Sequence, residues 1–466
     1  MNRRNFLKTA LTAPWLFAAG EPVGAAESTR PNIIVLMADD MGFSDIGPFG
    51  SEISTPNLNR LAEGGIRFTQ FYNTPRCCPS RAALLTGIYS HQAGVGHMVQ
   101  DLGAPGYRGF LNDRCVTIAE VVRSGGYHPL MSGKWHVGEE HPHWPVDRGF
   151  EHYFGLISGA DNYFHPARQM ALDNDSWRPN DPKFYMTDAF GDHAVNFVRE
   201  YAPKPDPYFL YVPFTAPHWP LHAHPDDIAK YRGKYLKGWD RLREERHERQ
   251  IAAKLLDPKW KITPRDSRVP PWSDVPDKNE WDLRMAVFAA QVERLDWNIG
   301  RIVDAVSETG AAENTLIMFL SDNGCCAEEN IRGENTVPPG PAASFTSYRR
   351  PWANASNTPF RLYKHWVHEG GISSPFIAYW PSVIQAKGAL DHDPAHITDL
   401  MATIVDVSGV PYPSHYKGRQ IHPLEGKSLL PTFRGRRREL HEAIFWEHEG
   451  NKAIHQGQWK LVSRYP

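Results

Sequence analysis

In NIIVLMADD, residues 32–40, six apolar residues from Ile33 to Ala38 run unbroken into two carboxylates, Asp39 and Asp40. A run apolar on both faces reads as a strand buried on both sides, the kind found inside a parallel sheet. The pattern returns in YFLYVPF (208–214) and in TLIMFLSDNG (315–324), whose polar end carries Asp322 and Asn323. Helical periods lie between these runs: after Pro79, over 117–123, over 188–201, and over 283–306. In the last, Met285, Phe288, Val292, Leu295, Ile299, Ile302 and Val306 keep three-four spacing, and Gly310 stands at the C-cap. A Thr55 cap and Pro56 open a shorter helix through NLNRLAEGG, IRFTQFYN alternates like a strand, and HPLMSGKWH is strand-like. Repeated β then α predicts an α/β fold: a large, mostly parallel sheet sandwiched by helices.

Two stretches break the alternation. Residues 229–280 are charged and proline-rich around GWDRLREERHERQIAAKLL, and read as an insertion on the rim. Residues 325–357 have no period and read as a long loop. After the helix HITDLMATIVDV, the short runs EAIFWEHEG, KAIHQG and QWKLVSRYP predict a smaller C-terminal subdomain, 413–466, with an antiparallel sheet. The main domain is then 27–412. Residues 1–26 have a basic head, a short apolar centre and small residues near Ala25 and Ala26, the layout of a signal peptide.

A chain of 466 residues, 41% hydrophobic, can bury a large core, and its net charge of -2 gives no electrostatic case for nucleic acid. No apolar run is long enough to span a bilayer, so no stable membrane anchor is expected. Four of the five cysteines form adjacent pairs, Cys77-Cys78 and Cys325-Cys326, which is not a disulfide framework. Cys115 is expected in the core.

CCPSRAALLTG, residues 77–87, places a sulfur at the mouth of a helix, where free N–H groups and the helix dipole attract anions. Arg81, one turn in, adds a fixed cation. Cysteine-phosphatase spacing, with arginine six positions after cysteine, fails because Ala83 and Leu84 stand there. Asp39, Asp40, Asp322 and Asn323 at strand ends are hard oxygen ligands suited to Ca2+ or Mg2+. Lys134 and His136 close GKWH, His218 follows a strand end in APHWP, and Lys364 precedes HWVHEGGI. His222 and His224 fit no pattern and are expected at the surface. His365 and His368 take no assigned role. Asp161, Asn162 and His165 are polar enough to touch a substrate, and a structural turn explains them equally well.

Cys77, Pro79, Ser80, Arg81, Leu85, Thr86 and Gly87 resemble the sulfatase signature CxPSRxxxLTG. The strand-end DD, the DNG, GKWH, APHxP and the lysine before EGGI are similar to that family's other motifs, and Pro129 departs from its GYxTxxxGKWH pattern. The resemblance runs from about Asn32 to the end of the chain and is nearest to bacterial arylsulfatases. It implies that a formylglycine-generating enzyme oxidises Cys77 to formylglycine, whose hydrate is the nucleophile. It also implies a divalent metal, Ca2+ before Mg2+, held by Asp39, Asp40, Asp322, Asn323 and the modified Cys77. Arg81 and Lys134 would hold the hydrate, and Asp322 would take its proton. Lys364 and His218 would clamp the sulfate and protonate the leaving oxygen, and His136 would drive sulfate out. The implied substrates are sulfated small molecules or glycans.

RRNFLK near the start resembles the twin-arginine export pattern, which implies a periplasmic or extracellular enzyme modified before export. Family members continue past the WKLVSRYP equivalent, so the resemblance implies an incomplete C-terminal subdomain: either its sheet lacks a last element and ends in an exposed edge strand, or the sequence is truncated. Two other readings stay open: a phosphonate or phosphodiester hydrolase of the same superfamily, and an unmodified protein that binds sulfated glycans without cleaving them.

Overall fold

The computed structural model describes residues 30–465, so the expected signal peptide at 1–26, with Arg3 and Arg4, lies outside the described residues. β1 (Asn32–Ala38) runs through the middle of a ten-stranded mixed sheet. It pairs in parallel with β8 (Tyr208–Pro213) on one side and β9 (Thr315–Ser321) on the other, the three strands marked by unbroken apolar runs. β4 (His128–Ser132) and β5 (His152–Leu156) continue the parallel set beyond β8. The C-terminal ends of these central strands therefore share one edge.

The flanks depart from parallel order. β10 (Phe376–Tyr379) runs antiparallel to β9, β2 (Ile66–Phe68) antiparallel to β10, and β11 (Ala389–Asp391) parallel to β2. β6 (Met170–Leu172) and β7 (Asp175–Trp177) close the far side as an antiparallel pair. IRFTQFYN is not one strand. The chain bends after Phe68, and β3 (Phe71–Tyr72) leaves the large sheet to pair with β12 (Ala395–His396).

Side chains alternate across a strand, so β1 sends Ile34, Leu36 and Ala38 into one apolar core and Ile33, Val35 and Met37 into the other. The first core is covered by α1 (Pro56–Gly64), α4 (Met186–Tyr201), α5 (Pro225–Ala229), α6 (Gly238–Ala252) and α7 (Lys278–Glu308). The second lies under α2 (Cys77–Thr86), α3 (Ile118–Ser124) and, further along the chain, α10 (Asp399–Ser408). Each buried Leu, Ile or Phe contributes roughly 1.5–3 kcal/mol, so the two layers hold the strand ends rigidly.

Two caps differ from expectation. Thr55 does not cap α1, because its Oγ1 accepts from Gly47 N at 2.9 Å. Asp296, reaching over from α7, takes that role by accepting from Asn57 N at 3.1 Å and Leu58 N at 2.8 Å. α7 itself begins at Lys278, since Asp277 accepts from Glu280 N at 3.0 Å and starts the helix before its apolar stripe does.

The stretch 325–357 is not all loop. It contains α8 (Arg349–Ser356), and there Pro351, Trp352, Ala353, Asn354, Ala355 and Ser356 are all buried. A helix of eight residues is too short for a period to declare itself, which hid it from the sequence. α6, in the expected insertion, puts Trp239 and Leu242 into the core and Arg246 against Asp45 and Glu52.

Near the C-terminus, α9 (Glu369–Ile372) and α11 (Leu430–Phe433) are single turns, and β13 (His415–Tyr416) pairs with β14 (Arg419–Gln420). β15 (Ile444–His448), β16 (Asn451–Gln456) and β17 (Trp459–Ser463) form the antiparallel sheet. Trp446 of β15 donates from Nε1 to Asn73 O at 2.8 Å, which docks this sheet beside the segment leading to Cys77. β17 is one of the two edge strands of this sheet, with Trp459 75% and Leu461 73% exposed. Among the described residues no helix is long and apolar enough to cross a membrane.

Candidate active site

The ends of β1 and β9 lie side by side, with Ala38 opposite Ser321, so the next residues of each strand meet. Asp40 turns into the left-handed region at φ 63°. Its N–H donates to Asp322 Oδ1 at 3.2 Å, and Asn323 Nδ2 donates to Asp40 Oδ1 at 2.7 Å. Gly324, just beyond, packs so closely that a Cβ there would stand 1.8 Å from Gly370 O. The GG of EGGI and the DNG turn therefore fix each other, which brings Lys364 alongside.

GKWH follows β4. Gly133 has φ 144°, and an added Cβ would lie 2.1 Å from Pro213 O, so only glycine lets the chain pass β8 here. Lys134 beyond it donates from Nζ to Asp39 Oδ2. His136, at φ 58°, brings Nδ1 within 3.6 Å of Cys77 Sγ. Backbone held at such angles outside glycine costs on the order of 1–3 kcal/mol, and the surrounding packing must supply it.

Cys77 is the first residue of α2, after Arg76 in extended conformation. The turn before it is closed by Ser80, whose Oγ donates to Thr74 O at 3.0 Å and accepts from Thr74 N at 3.2 Å. Arg81 donates to Asp322 Oδ2 at 2.9 Å, to Asp39 Oδ2 at 3.2 Å and to Lys134 O at 2.9 Å. Lys364 Nζ lies 2.9 Å from Asp40 and 3.4 Å from His218 Nε2, which is itself 3.3 Å from Asp40 Oδ2. Asp39, Asp40, Cys77, Arg81, Lys134, His136, His218, Asp322, Asn323 and Lys364 thus form one cluster, every member buried.

Charge in this cluster is balanced locally. Burial pushes Asp39 up, but Lys134, His218 and Arg81 together hold its carboxyl near 2. Burial, with Asp39 beside it, pushes Asp322 well above the carboxylate range. Burial holds His136 near 4, so its ring is neutral. The thiol of Cys77 is held low, first by a hydrogen bond with the neighbouring Cys78 and, against burial, by the charges of Lys134 and Lys364.

Two buried oxygens in the cluster, Asp39 Oδ1 and Asn323 Oδ1, have no hydrogen-bond partner. Asp39, Asp40 and His218 also bring one ligand atom each to within 4.8 Å of one another. Unpaired buried oxygens are costly, and an oxygen-rich donor set fits a hard divalent cation. The residues present therefore suit such an ion.

The sequence reading missed Glu328 and Arg76. Arg76 Nη2 is 3.2 Å from Glu328 Oε1, and Trp219 Nε1, next to His218, donates to Glu328 Oε2 at 2.9 Å. Although burial opposes ionisation, Lys364, Arg76 and His218 hold Glu328 near 2. Glu328 sits in the aperiodic stretch, where no spacing could point to it.

His222 is not on the surface. It is wholly buried, with Nε2 donating to Ser344 O at 2.6 Å and Nδ1 accepting from Tyr163 N at 3.3 Å. His224 is half-buried against Tyr185. Asp161 and Asn162 make a structural turn, since Asn162 Oδ1 accepts from Phe164 N and His165 N, both at 3.0 Å.

A buried sulfur at a helix end, set among fixed cations at the carboxyl ends of the parallel strands of a mixed sheet, makes a site suited to an anionic group. The sulfatase family model matches residues 31–410. The chain is 36% identical over 478 aligned residues to an uncharacterized sulfatase of Schizosaccharomyces pombe, covering 94% of this chain and 86% of that protein. It is 33% identical over 446 residues to an arylsulfatase of Klebsiella aerogenes, covering 89% of this chain and 96% of that one. Among solved structures it resembles Ps i-CgsB, crystallised with k-i-k-neocarrahexaose, at a TM-score of 0.68 and 25% identity, covering 93% and 84% of the two chains. The chain belongs to the sulfatase family and is a sulfuric ester hydrolase.

Proposed function

We propose that the chain cleaves an aryl or carbohydrate sulfate with a formylglycine hydrate made from Cys77, assisted by a divalent cation, and releases inorganic sulfate with an alcohol or phenol. One observation carries this reading. Cys77 stands at the N–H end of α2 in the same buried cluster that leaves Asp39 Oδ1 and Asn323 Oδ1 unpaired. Asp39, Asp40, Asp322 and Asn323, with the modified residue 77, would hold the ion. Their oxygen-only set favours Ca2+, with Mg2+ second. When bound, the ion would polarise the sulfate oxygens and acidify a hydroxyl of the hydrate, whose second hydroxyl allows sulfate to be expelled.

The remaining work falls to side chains. Arg81 and Lys134 balance charge developing beside residue 77. Asp322, ionised once a bound cation offsets the burial and the Asp39 charge that raise its pKa, would accept the proton of the attacking hydroxyl at a carboxylate oxygen. Lys364 and His218, 3.4 Å apart, clamp the sulfate and deliver a proton to the departing oxygen. His136, neutral and 3.6 Å from the Cys77 sulfur, receives the second proton through Nδ1.

The likeness to an arylsulfatase and to a protein crystallised with a neocarrahexaose supports aryl and glycan substrates alike. RRNFLK in the leader supports export by the twin-arginine route to the periplasm or beyond, after a formylglycine-generating enzyme has acted. Matched p-nitrophenyl sulfate, phosphate, phosphodiester and phosphonate substrates test the assignment. The sulfate is expected to show the highest kcat/KM. A phosphodiester or phosphonate turned over faster than the sulfate would transfer the reading to the phosphorus branch of the superfamily.

A further inference from the structure

A second group of ligand-type side chains stands outside the cluster just described. His97 lies in the loop after α2, His365 directly follows Lys364, and His448 ends β15. All three converge on Glu449, in the turn between β15 and β16. Glu449 Oε1 is 3.2 Å from His97 Nδ1 and 3.6 Å from His448 Nε2, and its Oε2 is 3.0 Å from His365 Nδ1. The donor atoms of His97, His448 and Glu449 all lie within 4.8 Å of one another. The rings gather as well, with His448 centred 5.7 Å from His97 and 5.5 Å from His365.

Pairing gives an independent sign. His448 is wholly buried, yet neither of its ring nitrogens makes a hydrogen bond of normal geometry, nor does Nδ1 of His97. Native structures seldom leave a buried imidazole so. The Gly96 backbone faces the His448 ring, the kind of outer contact that orients a metal-bound imidazole.

The occupant's chemistry follows from the donors. Glu449 would repel a sulfate or carboxylate, and a sugar hydroxyl cannot reach a side chain with no exposed surface. A bare cation can sit between the rings. Three imidazoles and one carboxylate suit a borderline-soft divalent ion of the zinc class, unlike the oxygen donors at the strand ends.

We propose that His97, His365, His448 and Glu449 form a second metal site, for a zinc-type divalent ion, that ties the C-terminal hairpin to the rim of the active site. The tie bears on catalysis through position. His365 N donates to Pro75 O at 2.6 Å, two residues before Cys77, and its neighbour Lys364 contacts Asp40. The ion braces both segments.

The test uses the full chain, chelated and then held in excess Ca2+ to fill the oxygen site. Zn2+ is titrated against a chromophoric chelator, and Co2+ is added in parallel as a spectroscopic probe. One equivalent of Zn2+ per chain is expected, with a higher thermal midpoint, and visible Co2+ d–d bands without thiolate bands in the near ultraviolet. His97→Gln and Glu449→Gln, both at partly exposed positions, should each weaken Zn2+ at least tenfold and abolish the thermal shift. Three results would overturn the proposal: no tightly held equivalent, an affinity unchanged in both variants, or thiolate bands alone. Thiolate bands would place the metal at Cys77, Cys78 and His136, which also cluster.

Discussion

Replacing Arg246 should loosen the segment that carries Asp40, and the size of the effect follows from its contacts. Arg246 sits on α6, wholly buried. It donates to Asp45 Oδ1 at 2.7 Å, twice to Glu52 at 2.9 Å, and to Ser44 and Ser51 at 3.2 and 3.3 Å. Asp45 in turn accepts from Gly42 N at 2.9 Å, which shapes the turn after Asp39-Asp40. Burial already pushes the Asp45 carboxyl above its usual range, and only Arg246 opposes this as a full charge. Arg246→Met keeps most of the apolar volume and leaves Asp45 without its counter-charge, while Glu52 keeps only Arg249, 3.4 Å away. Breaking a buried pair from one side costs about 3–5 kcal/mol. A chain of 466 residues opens in parts, so the readout is hydrogen exchange over 41–52 and 238–252 rather than a single melt. Protection there should fall by two to three orders of magnitude, the equivalent of about 3–4 kcal/mol. Adding Asp45→Asn to Arg246→Met should recover at least about 1 kcal/mol, because it removes the stranded charge. A loss below about 1 kcal/mol, or a second substitution that deepens the loss, would refute the reasoning.

Other consequences are equally open to measurement. Gly133→Ala should lower stability by more than about 1 kcal/mol and abolish sulfate release, since its Cβ would meet Pro213 O at 2.1 Å at a φ of 144°; wild-type melting and activity would count against the close approach. His222 has its folded pKa depressed by burial to about 4 from 6.5. Its contribution is present above pH 6.5 and is lost as pH falls through 4, up to about 3 kcal/mol in all. His222→Gln should therefore flatten stability between pH 6.5 and 4, and an unchanged slope would show that another group titrates. Cys77→Ser, lacking a second hydroxyl, should either accumulate a sulfate ester on the substituted side chain, visible by intact mass, or lose turnover. Unchanged multiple-turnover rates would defeat the proposed route.

The fold was legible where burial is symmetrical. β1, β8 and β9 announce themselves because both faces of each are apolar, and α7 because one face is. The cluster was legible for a related reason: in parallel strands functional groups collect at carboxyl ends, so Asp39, Asp40, Asp322 and Asn323 had to meet if their strands were neighbours. What escaped depends on distant placement. α8 has only eight residues, too few for a period to declare itself. Asp296 caps a helix 239 positions away along the chain, which no local signal encodes. Glu328, His222 and the histidines around Glu449 acquire their surroundings only when the C-terminal sheet and the 325–357 segment close over the strand ends.

The central claim is that residue 77 acts as an aldehyde hydrate and not as a thiol. A peptide mass spectrum spanning 74–81, taken on protein whose sulfate release has just been measured, tests it most directly. The account predicts a peptide lighter than the cysteine form, by the difference between CH2SH and CHO, in an amount that tracks specific activity across preparations. Full activity in a sample whose Cys77 is entirely thiol would contradict it.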